Sequence, residues 1–182
     1  DGDGNHDDAI QGFALNGAVY NNVKIQGNWI QETTDRNRQF NASMQGISVF
    51  DGVYENAQVT NNVVISTAYH GISWGGALNS RIENNTVINP DWVTNGRKLW
   101  IRSGIGKLGQ QPLGTIIKNN VAVHFAVEGG AVLENNINIK DPTAAFESFV
   151  IGGTIDLTPK AGGPLDGKDV GGYGEYVISG KD

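Results

Sequence analysis

The chain has 182 residues, the length of a single domain. It carries 13 basic and 19 acidic residues, a net charge of −6, and no extended basic stripe, which argues against nucleic acid as a partner. No apolar run is long enough to span a bilayer, so we expect no membrane partner. The absence of cysteine decides nothing about the compartment, because stacked β-structure needs no disulfides.

The chain opens with an acidic run, Asp1-Gly2-Asp3-Gly4-Asn5-His6-Asp7-Asp8. Oxygen ligands at alternate positions are typical of calcium-binding loops, so one interpretation is a loose calcium site. Its ligands would be Asp1, Asp3, Asn5 and Asp7. The run is not an EF-hand loop, because His6 stands where that motif requires Gly and Gly12 where it requires Glu. The alternative is a solvated acidic turn.

A six-residue pattern recurs five times: an apolar residue, a polar residue, a two-residue turn that ends in Asn, and further apolar residues. The copies are residues 25–30 (IQGNWI), 59–64 (VTNNVV), 82–87 (IENNTV), 117–122 (IKNNVA) and 133–138 (LENNIN). Asn tolerates the left-handed backbone conformation and suits a tight corner between short strands. Corners stacked at strand spacing, about 4.8 Å, would let their amides bond along the stack. The repeat therefore predicts a solenoid of β-coils.

The spacing of the repeats indicates coils with insertions. The last Asn of each turn is Asn28, Asn62, Asn85, Asn120 and Asn136, which gives steps of 34, 23, 35 and 16 residues. A step of 23 fits one bare coil, steps of 34 and 35 fit a coil with a loop, and the step of 16 indicates an incomplete last coil. A sandwich with unrelated hairpin turns would instead predict regular strand spacing of about 8–12 residues.

Through these repeats, residues 8–139 resemble the right-handed parallel β-helices of the pectate-lyase-like superfamily. A further likeness is Asp156–Pro159 followed by Asp169–Tyr173, which is similar to the closing segment of many such domains. The resemblance implies an all-β fold, a right-handed parallel β-helix of about five coils with an incomplete last coil and an extended C-terminal tail. Superfamily members cleave polysaccharides by β-elimination or hydrolysis, epimerise uronates or serve as phage tailspikes, so the fold alone selects no activity.

We expect one domain over residues 1–182, with the coils in 1–139 and a C-terminal cap and tail in 140–182. Within the cap, Phe146 and Phe149 are predicted to cover the open last coil, and residues 160–175 to run along the side of the helix. The chain starts within what resembles a coil, whose core face needs a cover. We therefore expect a fragment of a longer chain, a homo-oligomer, or another chain that caps the first coil.

A second family of short strands precedes the Asn corners. Its members are Ala9–Gly12, Gly46–Val49, Gly71–Trp74, Trp100–Ser103 and Ala126–Gly129. Alternation along these strands directs one set of apolar side chains inward: Ile10, Ile47, Ile72, Ile101 and Val127. Their neighbours then point outward: Gln11, Ser48, Ser73, Arg102 and Glu128. A further column contains Asp8, Gln45, His70 and Leu99. The resemblance implies a substrate groove along this outer face.

Two insertions, residues 31–45 and 89–99, are expected beside the predicted groove, and a third, residues 103–114, on another side of the coil. Loops on a rigid scaffold are frequent recognition sites. Six of the 13 basic residues lie in or beside them: Arg36, Arg38, Arg97, Lys98, Arg102 and Lys107. Arg suits bidentate contact with carboxylate or sulfate, which predicts an acidic polysaccharide as substrate. The other predicted substrate contacts are Gln11, Gln45, Trp74, Trp92 and Phe40. For Arg36 and Arg38, the alternative is ion pairing with Glu32 and Asp35 in their own loop.

Two of the predicted catalytic residues, Asp8 and His70, lie in this column. His6-Asp7-Asp8-Ala9-Ile10-Gln11 contains a His-x-Asp-x-Ile-Gln pattern that recurs in parallel β-helix proteins. Asp8 and His70 would lie two coils apart, about 9–10 Å, a separation suited to groups acting on opposite sides of a sugar linkage. His124 is expected on another side of the coil.

For β-elimination on a uronate, the candidates are Arg102 or Lys98 as cation or base, His70 or His6 as base, and Tyr69 as acid. Alternation would turn Tyr69 inward unless its strand starts at Gly71. Hydrolysis needs two carboxylates, and no pair stands out among Asp7, Asp8, Asp51 and Glu128. We therefore favour a polysaccharide lyase, secreted or carried on a virion tail. The alternative is a non-catalytic glycan-binding or structural β-helix of a tail fibre or adhesin.

Overall fold

Parallel sheets, each built from strands that are distant in the chain, form most of the protein. The computed structural model describes residues 7–33, 35, 37 and 43–172, and the backbone of 175–177. Sheet A contains β1 (Asp7–Gly12), β5 (Met44–Val49), β9 (His70–Gly75), β13 (Trp100–Gly104) and β16 (His124–Val127). Sheet B contains β2 (Val19–Asn21), β6 (Val53–Glu55) and β10 (Ala77–Leu78).

The remaining parallel strands form sheets C and D. Sheet C contains β3 (Lys24–Gln26), β7 (Gln58–Thr60), β11 (Arg81–Glu83), β14 (Ile116–Lys118) and β17 (Val132–Glu134). Sheet D contains β4 (Trp29–Gln31), β8 (Val63–Ile65), β12 (Thr86–Ile88), β15 (Val121–Ala122) and β18 (Ile137–Asn138). The chain visits the sheets in the order A, B, C, D on the first three windings and A, C, D on the last two, which is compatible with the predicted β-helix solenoid.

Helices are short in the described part of the chain. They are a 3-10 turn (Leu15–Gly17), α1 (Trp92–Asn95) and α2 (Pro142–Ala145). None of these helices has the length and hydrophobicity needed to cross a membrane. An antiparallel sheet E follows, formed by β19 (Phe146–Phe149), β20 (Thr154–Pro159) and β21 (Glu175–Val177).

The interior of the stack consists of columns of aliphatic side chains, one column from each long sheet. Sheet A contributes Ile47, Ile72 and Ile101, which are register partners and fully buried. Sheet C contributes Val59, Ile82 and Ile117, and sheet D contributes Val64, Val87 and Ala122. Burying each such side chain stabilises the fold by about 1.5–3 kcal/mol, so the stack has a continuous apolar core.

The predicted amide ladder is present at the corner between sheets C and D. The backbone N–H and side-chain Nδ2 of each Asn donate to Oδ1 of the next Asn at 2.8–3.0 Å, through Asn28, Asn62, Asn85, Asn120 and Asn136. Each Nδ2 after the first also donates to a carbonyl of the preceding coil, as from Asn85 to Val59 O at 2.8 Å. The amides are buried at Asn62, Asn85 and Asn120, where water cannot replace these bonds.

The left-handed conformation falls on the residue before each ladder Asn. These residues are Gly27, Asn61, Asn84, Asn119 and Asn135, with φ between 46° and 67°. The two positions of the turn therefore have separate roles, since the first reverses the backbone and the second bonds along the stack.

The C-terminal segment packs on the outer face of sheet D. Its buried residues Phe146, Ile155 and Leu157 form a cluster with the outward side chains of β8 and β12, including Ile65 and Ile88. Thr86 Oγ1 donates to Gly172 O at 2.7 Å and fixes the end of the segment. Phe146 was expected over the end of the last coil, but it lies against the side of the stack because sheet D presents apolar side chains on both faces.

Large apolar side chains are exposed at both ends of the stack. At the first coil these are Phe13, Leu15, Val19 and Tyr20, and at the last coil Val132 and Leu133. The cover expected over the first coil stays a prediction.

Removing one amide from the middle of the ladder should strongly destabilise the fold. Asn85→Ala removes the acceptor of the buried Asn62 backbone N–H and side-chain amide and the amide donor to Val59 O, and each unsatisfied group costs about 1–3 kcal/mol. We expect the free energy of unfolding, measured in urea, to fall by about 3 kcal/mol or more. Asn28→Ala, at the end of the ladder, is the control and should cost less. Equal losses for the two variants would contradict a cooperative ladder.

Phe146→Ala should lower the free energy of unfolding by about 3–5 kcal/mol, because it opens a cavity in the cluster beside sheet D. Phe13→Ala, at a side chain that is 57% exposed, is the matched control. Urea denaturation of both variants tests whether the C-terminal segment is part of the folded unit. A loss at Phe146 no larger than at Phe13 would show that it is not.

Candidate functional site

An aromatic cluster stands on the outer face of sheet A. It consists of Phe50, Tyr69, His70 and Trp100. The His70 ring lies edge-to-face against Phe50 and Trp100, with centroids 5.0 Å away in each case. Tyr69 lies 5.7 Å from Trp100. This is the main concentration of aromatic side chains on the face where the sequence predicts a groove.

A bulge at Gly71 turns His70 outward. His70 pairs with Trp100 and Ile72 with Ile101, so Gly71 is an extra residue on β9. A Cβ at Gly71 would lie 2.2 Å from Val87 Cγ1, so only glycine fits there. Gln45-Gly46-Ile47-Ser48 repeats the arrangement on β5, where a Cβ at Gly46 would lie 2.2 Å from Gly71 O. On each of these strands two adjacent residues therefore face the interior, Gly71 and Ile72 on β9 and Gly46 and Ile47 on β5. The side chains before and after each pair lie on the outer face.

The Nδ1 atom of His70 lies between two donors. Trp100 Nε1, which can only donate, lies 2.8 Å from Ser73 Oγ and 3.2 Å from Nδ1. Ser73 Oγ lies 2.7 Å from Nδ1, so its hydroxyl accepts from Trp100 and donates to His70. In the tautomer with its proton on Nε2, His70 accepts from both groups at Nδ1, and this is the tautomer we predict.

Tyr69 carries a cation over its ring. It is 50% exposed and directly precedes β9, so strand alternation does not turn it inward. The guanidinium carbon of Arg97 lies 5.2 Å from the ring centroid, and Arg97 Nη1 donates to Thr67 O at 3.3 Å. A half-exposed aromatic side chain and a positioned guanidinium thus lie together.

The predicted column is largely present. Asp8 is the register partner of Gln45, and Gln45 precedes Ile47 by two residues, as His70 precedes Ile72. Leu99 does not belong to the column, because the bulge brings Trp100 beside His70 and leaves Leu99 fully buried in the core.

Arg102 lies on the same face but is held by an acid. It pairs with Ser73 across the sheet, and its Nη2 lies 2.9 Å from Glu128 Oε2. Its predicted register partner Glu128 is displaced, since Arg102 pairs with Ala126. Lys107 likewise forms an ion pair with Asp51 at 2.9 Å. These neutralised pairs are poorly placed to bind a substrate carboxylate.

Trp74 does not reach the outer face, contrary to prediction. It is 1% exposed and stands edge-to-face on Tyr54 in the interior, 5.4 Å between centroids. Its register partners are Val49 and Ser103, two residues beyond the inward isoleucines, so alternation directs its side chain inward.

His124 was expected on another side of the coil, but it begins β16 and pairs with Trp100. Phe125, rather than Val127, pairs with the inward Ile101. The alternation of apolar residues in Val123-His124-Phe125-Ala126-Val127 already contained this signal. Trp100 and Phe50 were also missed, because neither belongs to the repeated columns.

The other predicted contacts are separate from the cluster or outside the described residues. Gln11 is exposed on β1 opposite Ser48, and Trp92 and Lys98 line a pocket beside His124. Seven of the predicted site residues lie outside the described part of the chain: Asp1, Asp3, Asn5, His6, Arg36, Arg38 and Phe40. Asp7 is an exposed residue of β1. The described part of the chain has no group of three or more His, Cys, Asp or Glu residues that could hold a metal, and the calcium site stays a prediction.

Three structural groups have shifted pKa values. Burial raises the pKa of the Tyr54 phenol, and the neighbouring Tyr20 and Asp51 raise it further. A hydrogen bond from the Thr143 hydroxyl lowers the pKa of Asp141 at the start of α2, and one from Thr158 lowers the pKa of Asp156. These groups stabilise turns and core packing, away from the aromatic cluster.

Comparison of the chain with protein-family models, curated proteins and solved structures finds no match. The chemistry of the aromatic cluster therefore rests on its own geometry.

The tautomer of His70 can be measured directly. We expect ¹⁵N chemical shifts at neutral pH to show an unprotonated Nδ1 and a protonated Nε2, because Ser73 and Trp100 both donate towards Nδ1. His124, outside this hydrogen-bond arrangement, is the internal control. In Ser73→Ala the preference of His70 should weaken. A protonated Nδ1 in the neutral ring of the unaltered protein would contradict the assignment.

Proposed function

We propose that the chain is a right-handed parallel β-helix of about five coils, of the pectate-lyase-like type, that binds an acidic polysaccharide on the outer face of sheet A and cleaves it by β-elimination. The repeated order of the parallel sheets and the amide ladder support the fold. The observation that carries the function is the guanidinium of Arg97 over the exposed ring of Tyr69, beside Trp100 and His70.

This arrangement suits a sugar acid. Exposed aromatic rings offer an apolar surface to the carbon face of a sugar, and a guanidinium binds a carboxylate in bidentate fashion. Arg97 is the cation best placed for this role, since Arg102 is already paired with Glu128. The proposed site binds one uronate unit with its ring at Tyr69 and its carboxylate at Arg97.

The reaction assigns a role to each side chain. Arg97 neutralises the carboxylate and so makes the C5 proton more acidic. The Tyr69 hydroxyl oxygen accepts that proton while its own proton passes to the leaving oxygen, so the phenol is regenerated. The C5–H electrons form the C4–C5 double bond as the C4–O bond breaks. With Nδ1 engaged by Ser73 and Trp100, His70 is not assigned the role of base.

Hydrolysis is less well supported. Asp51 and Glu128, two of the predicted acids, are engaged with Lys107 and Arg102. Because these charged side chains are paired with one another, they also favour a second candidate function without catalysis. This is a glycan-binding β-helix of a tail fibre or adhesin. Both functions place the protein outside the cell or on a virion tail.

The test separates binding from cleavage. Incubation with polygalacturonate or polyglucuronate should produce ultraviolet absorbance from the unsaturated product. Tyr69→Phe keeps the ring and removes the hydroxyl, so product formation should fall by about 100-fold or more while affinity stays within about threefold. Arg97→Ala should weaken affinity about tenfold.

Tyr20→Phe, at another exposed tyrosine, is the control and should leave both properties unchanged. Binding without product in the unaltered protein would overturn the lyase and support the second candidate. Absence of binding to any acidic polysaccharide would overturn both.

A further inference from the structure

A basic pocket of about 360 Å³ lies beside the aromatic cluster. It is lined by Trp92, Lys98, Val123, His124, Asn138 and Lys140. These residues come from α1 and the loop that follows it, from the turn between sheets D and A, and from the end of β18. A concentration of positive charge is notable because the whole chain has a net charge of −6.

The cations of the pocket are positioned and uncompensated. The Lys140 ammonium lies 5.6 Å from the centroid of the Trp92 ring, a cation–π contact that holds it in place. A hydrogen bond within the loop that carries Lys98 fixes its backbone, since Asn89 Nδ2 donates to Arg97 O at 2.8 Å. Across the described residues, neither lysine is part of an ion pair. Two ammonium groups that line one pocket, one of them held on an aromatic ring, make a favourable place for an anion.

The pocket continues the proposed substrate site. Arg97 and Lys98 are neighbours in one loop, and Arg97 lies over Tyr69 while Lys98 lines the pocket. His124 is the register partner of Trp100, so the pocket lies one strand further along the stack, about 4.8 Å. A chain bound at Tyr69 and running along the stack would reach it.

We propose that this pocket is a second subsite, which binds the negatively charged group of a neighbouring sugar unit between Lys98, Lys140 and His124. This inference rests on the proposed function and specifies the substrate further. The preferred polysaccharide carries an anionic group on successive units, so that one group lies at Arg97 and the next in the pocket. The anionic group is a carboxylate or a sulfate.

The test compares oligosaccharides of different length. We expect a six-unit oligogalacturonate to bind the unaltered protein at least tenfold more tightly than a single galacturonate unit, because only a chain of two or more units spans both places. In a Lys98→Gln, Lys140→Gln double variant this advantage should disappear, because the chain is then held at Arg97 alone. Lys24→Gln, Lys168→Gln removes the same charge from exposed positions elsewhere and should keep the advantage.

A sulfated galacto-oligosaccharide of six units shows which anion is preferred, and its uncharged counterpart should lack the length advantage. An equal loss in both double variants would overturn the inference, because it would reflect net charge alone. Retention of the full advantage in Lys98→Gln, Lys140→Gln would also overturn it.

Nuclear magnetic resonance separates this inference from the proposed function. The six-unit chain should shift the side-chain signals of Trp92 and His124 as well as those of Trp100 and His70. Shifts at Trp100 and His70 alone would overturn the second subsite and leave the proposed function intact. Shifts at Trp92 and His124 alone would support the pocket and overturn the proposed site at Tyr69.

Discussion

Each asparagine of the ladder uses its side chain in two directions. The Oδ1 of Asn62 accepts from the coil before it, and its Nδ2 donates both to the coil after it and back to Ile25 O. Gln would be too long for this corner, Asp lacks the donor and Ser lacks the second hydrogen-bonding arm. Because these amides are buried, a slip of one coil past another would strand them, so the ladder fixes the register of all the sheets.

Register explains how residues distant in the chain meet on sheet A. With Ile72 aligned on Ile101, the Gly71 bulge brings His70 beside Trp100, and Ser73 is left to bridge them. The loop after α1 then supplies Arg97 above Tyr69. The aromatic cluster therefore depends on a core alignment set at the opposite corner of each coil, and its geometry is as rigid as that core.

The sequence was sufficient for the parts of the fold that repeat. The spacing of Asn28, Asn62 and Asn85 predicted the stacked corners, and Ile10, Ile47 and Ile72 were correctly assigned to one inward column. It was insufficient where one coil departs from the others. Because of the bulge, Trp100 and not Leu99 lies beside His70. Because β16 is shifted by two residues from the predicted alignment, His124 was not assigned to sheet A.

Side-chain environments that depend on distant packing were also beyond sequence reasoning. The sequence predicted Trp74 as a sugar-stacking residue because its inward orientation is visible only in the structure. It predicted Phe146 as an end cap because the sequence did not show that both faces of sheet D are apolar. The pocket at Lys98 and Lys140 joins residues more than 40 positions apart that share no repeat. Such sites arise from the loops between coils, which no periodicity describes.

The 23-residue winding from Asn62 to Asn84 carries no insertion between its corners, and it begins and ends at equivalent points of the ladder. A copy of this winding could consequently stack on either end of it with the same pattern of strand and ladder hydrogen bonds. Duplication of whole windings would therefore lengthen the protein in increments of one strand spacing, with no change to the interior.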